Sequence, residues 1–213
     1  MKNRFRTTLA RALAIARVTV FAVCAQTAPL TAVSHPGTYA DPGRYDDAWF
    51  DAARLGRIDI LQALVDAHYP IDTTTPEGYT AVILAAYRDQ PATLDYLLRI
   101  GANPCIGDRH GNTALMGALF KGETAIAKRL ADTHCQIDQT NHAGETALSF
   151  AALFGRLDML SVLVAHGANP DHVDARGHTA LQNAILQGNG AAVEALEKVG
   201  ATPNADVSLR MRP

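Results

Sequence analysis

The residues of this chain that could do chemistry are mainly histidines and carboxylates in its second half. Four histidines and two aspartates fall in three successive polar segments: His110, His142, His172, His178, Asp171 and Asp174. Imidazole and carboxylate groups are zinc ligands, but a four-coordinate site needs convergent ligands at a fixed spacing. These histidines occupy different positions within their segments. We therefore assign them mainly to solvated loops and expect neither a metal nor a cofactor.

A catalytic nucleophile can be sought in the same region. Ser149 lies a short way after His142, and a hydroxyl beside an imidazole could act as nucleophile and base. However, Ser149 belongs to a column of equally spaced positions that holds Ile83, Met116 and Gln182 elsewhere, so this position follows a structural pattern. The sequence also lacks the motifs G-x-x-x-x-G-K-[ST], H-E-x-x-H, G-x-S-x-G and C-x-x-C. We expect a protein that is not an enzyme.

Cysteine offers redox chemistry. Beyond residue 25 the chain has two cysteines, Cys105 and Cys135. In an oxidising compartment they could form a disulfide, worth about 3.5 kcal/mol for a loop of this length in the chain-entropy model. The alternative is two free thiols at small buried or loop positions. Pairing depends on a Cα separation that the sequence does not supply.

A repeat positions all of these groups. The segment HGNTALMGAL at 110–119 recurs as EGYTAVILAA from 77, AGETALSFAA from 143 and RGHTALQNAI from 176, so the starts are evenly spaced. A leucine column extends the same register into an earlier, fifth unit: Leu64, Leu97, Leu130, Leu163 and Leu196. Such a period is typical of arrays in which each unit buries its apolar face against its neighbours.

Two short helices are predicted for each unit. The threonines Thr80, Thr113, Thr146 and Thr179 precede apolar stretches and are predicted N-caps, with Asp47 in the same role in the first unit. The first helices are predicted to end at Gly56, Asp89, Gly122, Gly155 and Gly188, and the second helices at His68, Gly101, His134, Gly167 and Gly200. These residue types tolerate a positive φ. His166, in a last helical turn, is a predicted partner of the helix dipole.

The pattern resembles the ankyrin repeat. The resemblance is carried by GYTAVILAAYRD with LDYLLRIGANP, GNTALMGALFKGE with LADTHCQID, GETALSFAALFGRLDMLSVLVAHGANP, and GHTALQNAILQGN with ALEKVGATP. It implies an all-α repeat solenoid of about five ankyrin-like helix-turn-helix units with short hairpin-like loops. The domain would cover residues 42–204, with units at about 42–74, 75–107, 108–140, 141–173 and 174–204.

The chain departs from the family pattern at two columns. Alanine follows each capping threonine where the family usually has proline. The family's histidine two residues further on is replaced by Ile83, Met116, Ser149 and Gln182. We expect the loss of this histidine to weaken the hydrogen bonding between neighbouring loops.

The resemblance also implies where a partner binds, since ankyrin-like arrays usually bind proteins along the loop tips and the concave face of the first helices. Carried over position by position, the predicted binding residues at the loop tips are Glu77, Tyr79, Arg109, His110, Asn112, His142, Glu145, Arg176 and His178. Those at the ends of the first helices are Tyr87, Arg88, Phe120, Lys121 and Phe154. Aromatic residues and arginine are enriched at protein interfaces. Inward packing of some of these side chains is the alternative.

The ends of the chain lie outside the repeat. Residues 1–25 carry five basic and no acidic side chains and finish with VTVFAVCA, which is typical of a secretory signal peptide cleaved near Ala25. An amphipathic N-terminal helix of a cytosolic protein is the alternative, and lipidation at Cys24 is a minor one. Residues 26–41 indicate a linker and residues 205–213 a tail.

Charge narrows the classes of partner. The chain beyond residue 25 has 14 basic and 21 acidic side chains, a net charge of −7, which disfavours nucleic acid as a partner. The apolar run near the N-terminus is too short to span a bilayer, so we expect no membrane association after cleavage.

These features together predict a monomeric, non-catalytic protein–protein interaction scaffold that is periplasmic or secreted. Small exported bacterial ankyrin proteins of this kind resemble accessory partners of periplasmic enzymes, including detoxifying ones. Two further roles fit the same scaffold: an immunity protein that neutralises a toxic effector, and a secreted factor that binds host proteins.

Overall fold

The computed structural model describes residues 42–203. The predicted signal peptide, linker and tail (1–25, 26–41 and 205–213) lie outside the described residues. Within 42–203 the chain is an all-α repeat solenoid that begins with a short 3₁₀ helix, Pro42–Tyr45. The α-helices are α1 Asp46–Leu55, α2 Ile58–Asp66, α3 Ala81–Tyr87, α4 Pro91–Arg99, α5 Ala114–Lys121, α6 Thr124–Ala131, α7 Ala147–Leu153, α8 Leu157–Ala165, α9 Ala180–Leu186 and α10 Gly190–Lys198.

Threonine side chains start the first helices of units two to five, as the sequence predicts. The Thr80 hydroxyl accepts a hydrogen bond from the Ile83 N–H at 3.2 Å, and the same contact recurs at α5, α7 and α9. In the last two units the bond is reciprocated, because the cap N–H donates to the side chain of Ser149 or of Gln182. The predicted caps at these four threonines are confirmed.

Residues with a positive φ stop most of the helices. Gly56 and Gly122 end α1 and α5 with φ of 73° and 85°, and Asp89 follows α3 with φ of 51°. His68 follows α2 with φ of 62°. The predicted stops at these positions are confirmed, including both that lack glycine.

Two predictions about helix ends are wrong. Asp47 does not cap α1, because the 3₁₀ helix runs directly into it and Asp47 already lies in its first turn, where its charge suits the helix dipole. His134 is not a helix stop with positive φ: among the described residues, that conformation occurs at non-glycine positions in His68 and Asp89. The Thr133 hydroxyl donates to the Leu130 carbonyl at 2.6 Å, so the end of α6 is satisfied without a left-handed residue.

The leucine column lies in the core between the two layers of helices. Leu97, Leu163 and Leu196 are fully buried and Leu130 is nearly so. Leu64 is only half-buried and packs against the edge of this core. Alanines on the first helices are fully buried as well, and their small side chains allow neighbouring helices to approach closely.

Backbone hydrogen bonds join the loop tips of successive units. They link Arg109 N–H to the Glu77 carbonyl at 3.0 Å, His142 N–H to the His110 carbonyl at 2.8 Å, and Ala175 N–H to the Ala143 carbonyl at 2.9 Å. The glycine column permits this approach, because a Cβ at Gly78 would lie 2.7 Å from the Arg109 nitrogen and φ there is 85°. The main chain therefore connects the loops although the family's histidine is replaced.

A second column fastens the units to one another after the second helices. In three interfaces an aspartate accepts a backbone N–H from the next unit: Asp72 from Asn103 at 2.9 Å, Asp138 from Asn169 at 3.0 Å and Asp171 from Thr202 at 2.7 Å. Between units two and three, Cys105 occupies the aspartate position and is disulfide-bonded to Cys135, with a Cα separation of 5.4 Å. A covalent bond therefore replaces the carboxylate–amide hydrogen bond at this interface.

Candidate functional site

Three aromatic side chains at the ends of consecutive first helices touch one another and form an aromatic cluster, Tyr87, Phe120 and Phe154. The Tyr87 and Phe120 rings are stacked with centroids 6.0 Å apart, and Phe154 meets Phe120 edge-on at 4.8 Å. Tyr87 is 37% and Phe120 44% exposed, whereas Phe154 is half-buried. The cluster therefore presents aromatic surface to solvent on two units.

Exposed aliphatic side chains continue this surface along the first helices of the other units. They lie at the C-terminal ends of α1, α7 and α9: Leu55, Leu153, Ile185 and Leu186. Exposed aromatic or aliphatic side chains therefore recur at the ends of the first helices of all five units.

Arg156, from the neighbouring unit, fixes the centre of the aromatic cluster. Its guanidinium donates to the carbonyls of Leu119 and Phe120 at 3.0 and 3.3 Å. Gly122 leaves room for it, since a Cβ there would lie 2.8 Å from the Arg156 Cζ. The last turn of α5, which carries Phe120, is therefore held in place by a residue of unit four.

A groove of about 410 Å³ runs between the aromatic cluster and the loop tips of units two and three. Six of the residues predicted to bind a partner line it: Tyr79, Tyr87, Arg88, His110, Asn112 and Phe120. Leu84, Gly117 and Phe150 contribute its apolar wall. This volume falls within the range of ordinary ligand-binding pockets.

Cationic side chains lie in and beside the groove. Arg54 and Arg88 line it, and the Lys121 ammonium lies 5.1 Å from the centroid of the Tyr87 ring. Asp108 is the one carboxylate among the lining residues. Its oxygen accepts the backbone N–H groups of His110 and Asn112 at 2.8 and 2.9 Å. The Asp108 carboxylate is therefore hydrogen-bonded within its own loop.

Glu77 and Arg109 lie at adjacent loop tips beside the groove. The pKa of Glu77 is lowered mainly by a hydrogen bond from the Thr75 hydroxyl and by its own backbone N–H, and the charges of Arg109 and Arg54 act in the same direction. Across residues 42–203, no ion pair is formed by Arg88, Arg109 or Lys121. Of these three cations Arg88 lines the groove, where it is available to an external acidic group.

The other predicted residues outside the groove are His142, Glu145, Arg176 and His178. Glu145 and Arg176 line a smaller recess of about 150 Å³ between units four and five. Arg176 is paired with Asp174 at 2.9 Å, Glu145 accepts from the Asn141 amide at 3.0 Å, and His178 Nδ1 lies 3.3 Å from Asn183 Oδ1. His142 is exposed at its tip. The structure therefore separates these residues from the groove.

Sequence reasoning misses a column that shapes the loops: Thr75, Asp108, Asn141 and Asp174. Each side-chain oxygen accepts backbone N–H groups two and four residues further on. Burial opposes ionisation of Asp174, but its hydrogen bonds from His178, Asn183 and Arg176 lower its pKa. Thr, Asp and Asn at one register of the period were the available signal, because these types form such turns.

The groups considered for metal binding and catalysis hold local structure. Among the described residues, no three His, Cys, Asp or Glu side chains converge on a point that could hold a metal ion. His172 Nε2 lies 3.1 Å from the Gly144 carbonyl. The Ser149 hydroxyl donates to the Thr146 carbonyl at 2.8 Å and accepts the Thr146 N–H. None of the helices within 42–203 has the length and apolarity to cross a bilayer.

Comparison with known proteins agrees with this architecture. A family model described as Ankyrin repeats (3 copies) matches residues 49–141 and again residues 116–207. The chain is 29% identical to the putative ankyrin repeat protein YahD of Escherichia coli (strain K12), over 58% of this chain and 81% of YahD. It is 33% identical to NF-kappa-B inhibitor alpha of Rattus norvegicus, over 42% of this chain and 31% of that protein. Identity to Neurogenic locus notch homolog protein 1 of Mus musculus is 28%, over 56% of this chain and 5% of that protein.

Proposed function

Because this chain belongs to the ankyrin-repeat family, and such repeats indicate a protein–protein interaction scaffold, we propose that it is a non-catalytic scaffold that binds one protein through the groove of units two and three. The observation that carries this proposal is the exposed aromatic cluster at the mouth of that groove. Aromatic and arginine side chains dominate the energetics of protein interfaces. The side chains of Tyr87 and Phe120 are partly exposed to solvent in the folded array.

We further propose that the protein acts in the cell envelope or outside the cell, as an accessory partner of a periplasmic enzyme. Two features support this location: the basic and apolar N-terminal segment of the sequence and the disulfide between Cys105 and Cys135. Disulfides persist in oxidising compartments and are rare in the cytosol.

Affinity capture from the organism's own envelope fraction tests the binding surface. The chain beginning at Gln26 is immobilised beside a Tyr87→Ala/Phe120→Ala/Arg109→Ala variant and a control, Glu194→Ala/Lys198→Ala, whose substitutions lie on exposed positions of α10. We expect one protein to be retained by the unsubstituted chain and the control and to be lost from the groove variant, with unchanged circular dichroism. Retention by the groove variant, or no retained protein at all, contradicts the proposal.

The identity of the retained protein tests the proposed role as an accessory partner of a periplasmic enzyme. An envelope enzyme supports the accessory role, whereas a toxic effector would replace it with an immunity function and a host protein with a secreted role.

The proposed location has its own test. N-terminal sequencing of the protein from the envelope should begin at or near Gln26, and an intact Met1 in the cytosol would overturn export.

A further inference from the structure

Gly117 lies between two bulky residues at the same register of the neighbouring first helices. The positions one repeat period before and after it are Leu84 and Phe150, which are 7% and 9% exposed. Gly117 lies inside α5, and its φ is outside the left-handed region. The backbone therefore does not require glycine here, and glycine weakens a helix relative to alanine.

Packing does not require glycine at this position either. A Cβ at residue 117 would meet a single neighbour, the Tyr87 Cδ2 atom at 3.9 Å, which is an ordinary van der Waals distance. Gly117, which has no side chain, lines the groove together with Leu84, Tyr87, Phe120 and Phe150. We call these five groove-lining residues the socket.

The chemistry of the socket selects its occupant. Three of its five residues are aromatic, and aromatic rings favour offset-stacked or edge-to-face contacts with another ring. Two arginines line the same groove. Arg54 is already paired with Asp51 at 2.7 Å, whereas Arg88 has no ion pair within residues 42–203. The Asp108 carboxylate is engaged by its own loop. A carboxylate beside the inserted ring would therefore find an unpaired guanidinium.

We propose that Gly117 opens a socket for one aromatic side chain of a partner segment, and that Arg88 binds an Asp or Glu adjacent to that side chain. This inference rests on the proposed function, because it presumes a protein partner at the groove. It narrows that partner to one that presents an exposed aromatic residue next to an acid.

A matched pair of substitutions tests the socket. Gly117→Leu fills it, and Gly117→Ala removes the glycine without filling it. The probe is a library of random displayed dodecapeptides selected on the unsubstituted chain. We expect the enriched peptides to share an aromatic residue next to Asp or Glu. Their affinity for Gly117→Ala should lie within about twofold of that for the unsubstituted chain, and their affinity for Gly117→Leu should be at least about tenfold lower.

The role of Arg88 has a separate readout. Arg88→Ala should lower the affinity for the selected peptides about three- to tenfold. Added salt should reduce the difference in affinity between this variant and the unsubstituted chain, because the lost interaction is ionic. Replacing the peptide's acid by its amide should remove the effect of Arg88→Ala. Enriched peptides without an aromatic residue, equal binding by Gly117→Leu, or no enrichment at all would overturn the socket.

Two controls keep folding and the proposed function apart from this test. Circular dichroism should show Gly117→Leu folded, and Gly117→Met, with a more flexible side chain, serves if it is not. The partner captured from the envelope distinguishes the two proposals. If the partner is lost from the Tyr87→Ala/Phe120→Ala/Arg109→Ala variant but kept by Gly117→Leu, the scaffold stands and the socket fails. If both variants keep it, the groove itself is wrong.

Discussion

Units two and three are joined by the Cys105–Cys135 disulfide at the position where units three and four are joined by Asp138 and the Asn169 N–H. Both interfaces also have a backbone hydrogen bond between loop tips and buried alanines on the first helices. In a repeat array each interface can open separately, because stability is a sum of units and nearest-neighbour contacts. All residues that line the groove except Arg54 and Phe150 belong to the same two units. If the groove binds a partner as proposed, this covalent bond lowers the cost of ordering the binding surface.

The largest effect should come from the core that both interfaces share. Leu130→Ala in unit three and Leu163→Ala in unit four should each lower the free energy of unfolding by about 2–5 kcal/mol, because each removes a buried side chain and leaves a cavity. Urea denaturation measures both losses. The control is Leu153→Ala, since Leu153 is 42% exposed, and we expect it to cost less than about 0.5 kcal/mol. An equally small loss at Leu163 would contradict the stacked array.

Removing the disulfide tests how much it stabilises the interface between units two and three. Cys105→Ala/Cys135→Ala should cost about 3.5 kcal/mol, since the bond closes a loop with a sequence separation of 30 residues. Dithiothreitol should lower the urea midpoint of the unsubstituted chain and leave that of the double variant unchanged. If dithiothreitol changes the urea midpoint of neither protein, the disulfide does not stabilise this interface beyond its neighbours.

The hydrogen-bonded interface should respond less. Asp138→Ala removes an acceptor whose two oxygens each lie 3.0 Å from the exposed Asn169 N–H, and we expect a loss of about 1 kcal/mol. Glu197→Ala, on an exposed position of α10, is the control for removal of a surface charge. A loss at Asp138 as large as that of the disulfide would mean that the two kinds of fastening are equivalent.

The smallest effect concerns a second link between units three and four. The pKa of His166 is raised above its usual 6.5 mainly by a hydrogen bond to the Val162 carbonyl and also by one to Asp132, because only the protonated ring donates to both. Its contribution to stability is therefore present below about pH 6.5 and is lost as the pH rises through the raised pKa. Exposure to solvent limits this contribution to less than about 0.5 kcal/mol. The difference in the free energy of unfolding between about pH 5.5 and about pH 8.5 should be smaller in His166→Asn. An unchanged difference would mean that other titrating groups cause it.

Much of the fold could be predicted because its signals are local. A threonine before an apolar stretch satisfies a free N–H of the first turn wherever it occurs, and glycine, Asp89 and His68 adopt the conformation that ends a helix. The error at Asp47 arose because a 3₁₀ helix leads directly into α1, and the error at His134 arose because the Thr133 hydroxyl bonds the end of α6. Six groove residues could be predicted from their register, but the socket could not, because register does not show that Gly117 lines one groove with Tyr87 and Phe120.

Residue types at a fixed spacing predict the period, the four threonine caps, most of the helix stops and most of the buried leucine column. Tertiary structure alone decided that Cys105 lies within bonding distance of Cys135, that Tyr87 and Phe120 face solvent while Phe150 is buried, and that Gly117 leaves a socket between units. Periodicity assigns a residue to a face of its helix. Whether that face is covered depends on side chains one unit away, and only the stacked array brings them into contact.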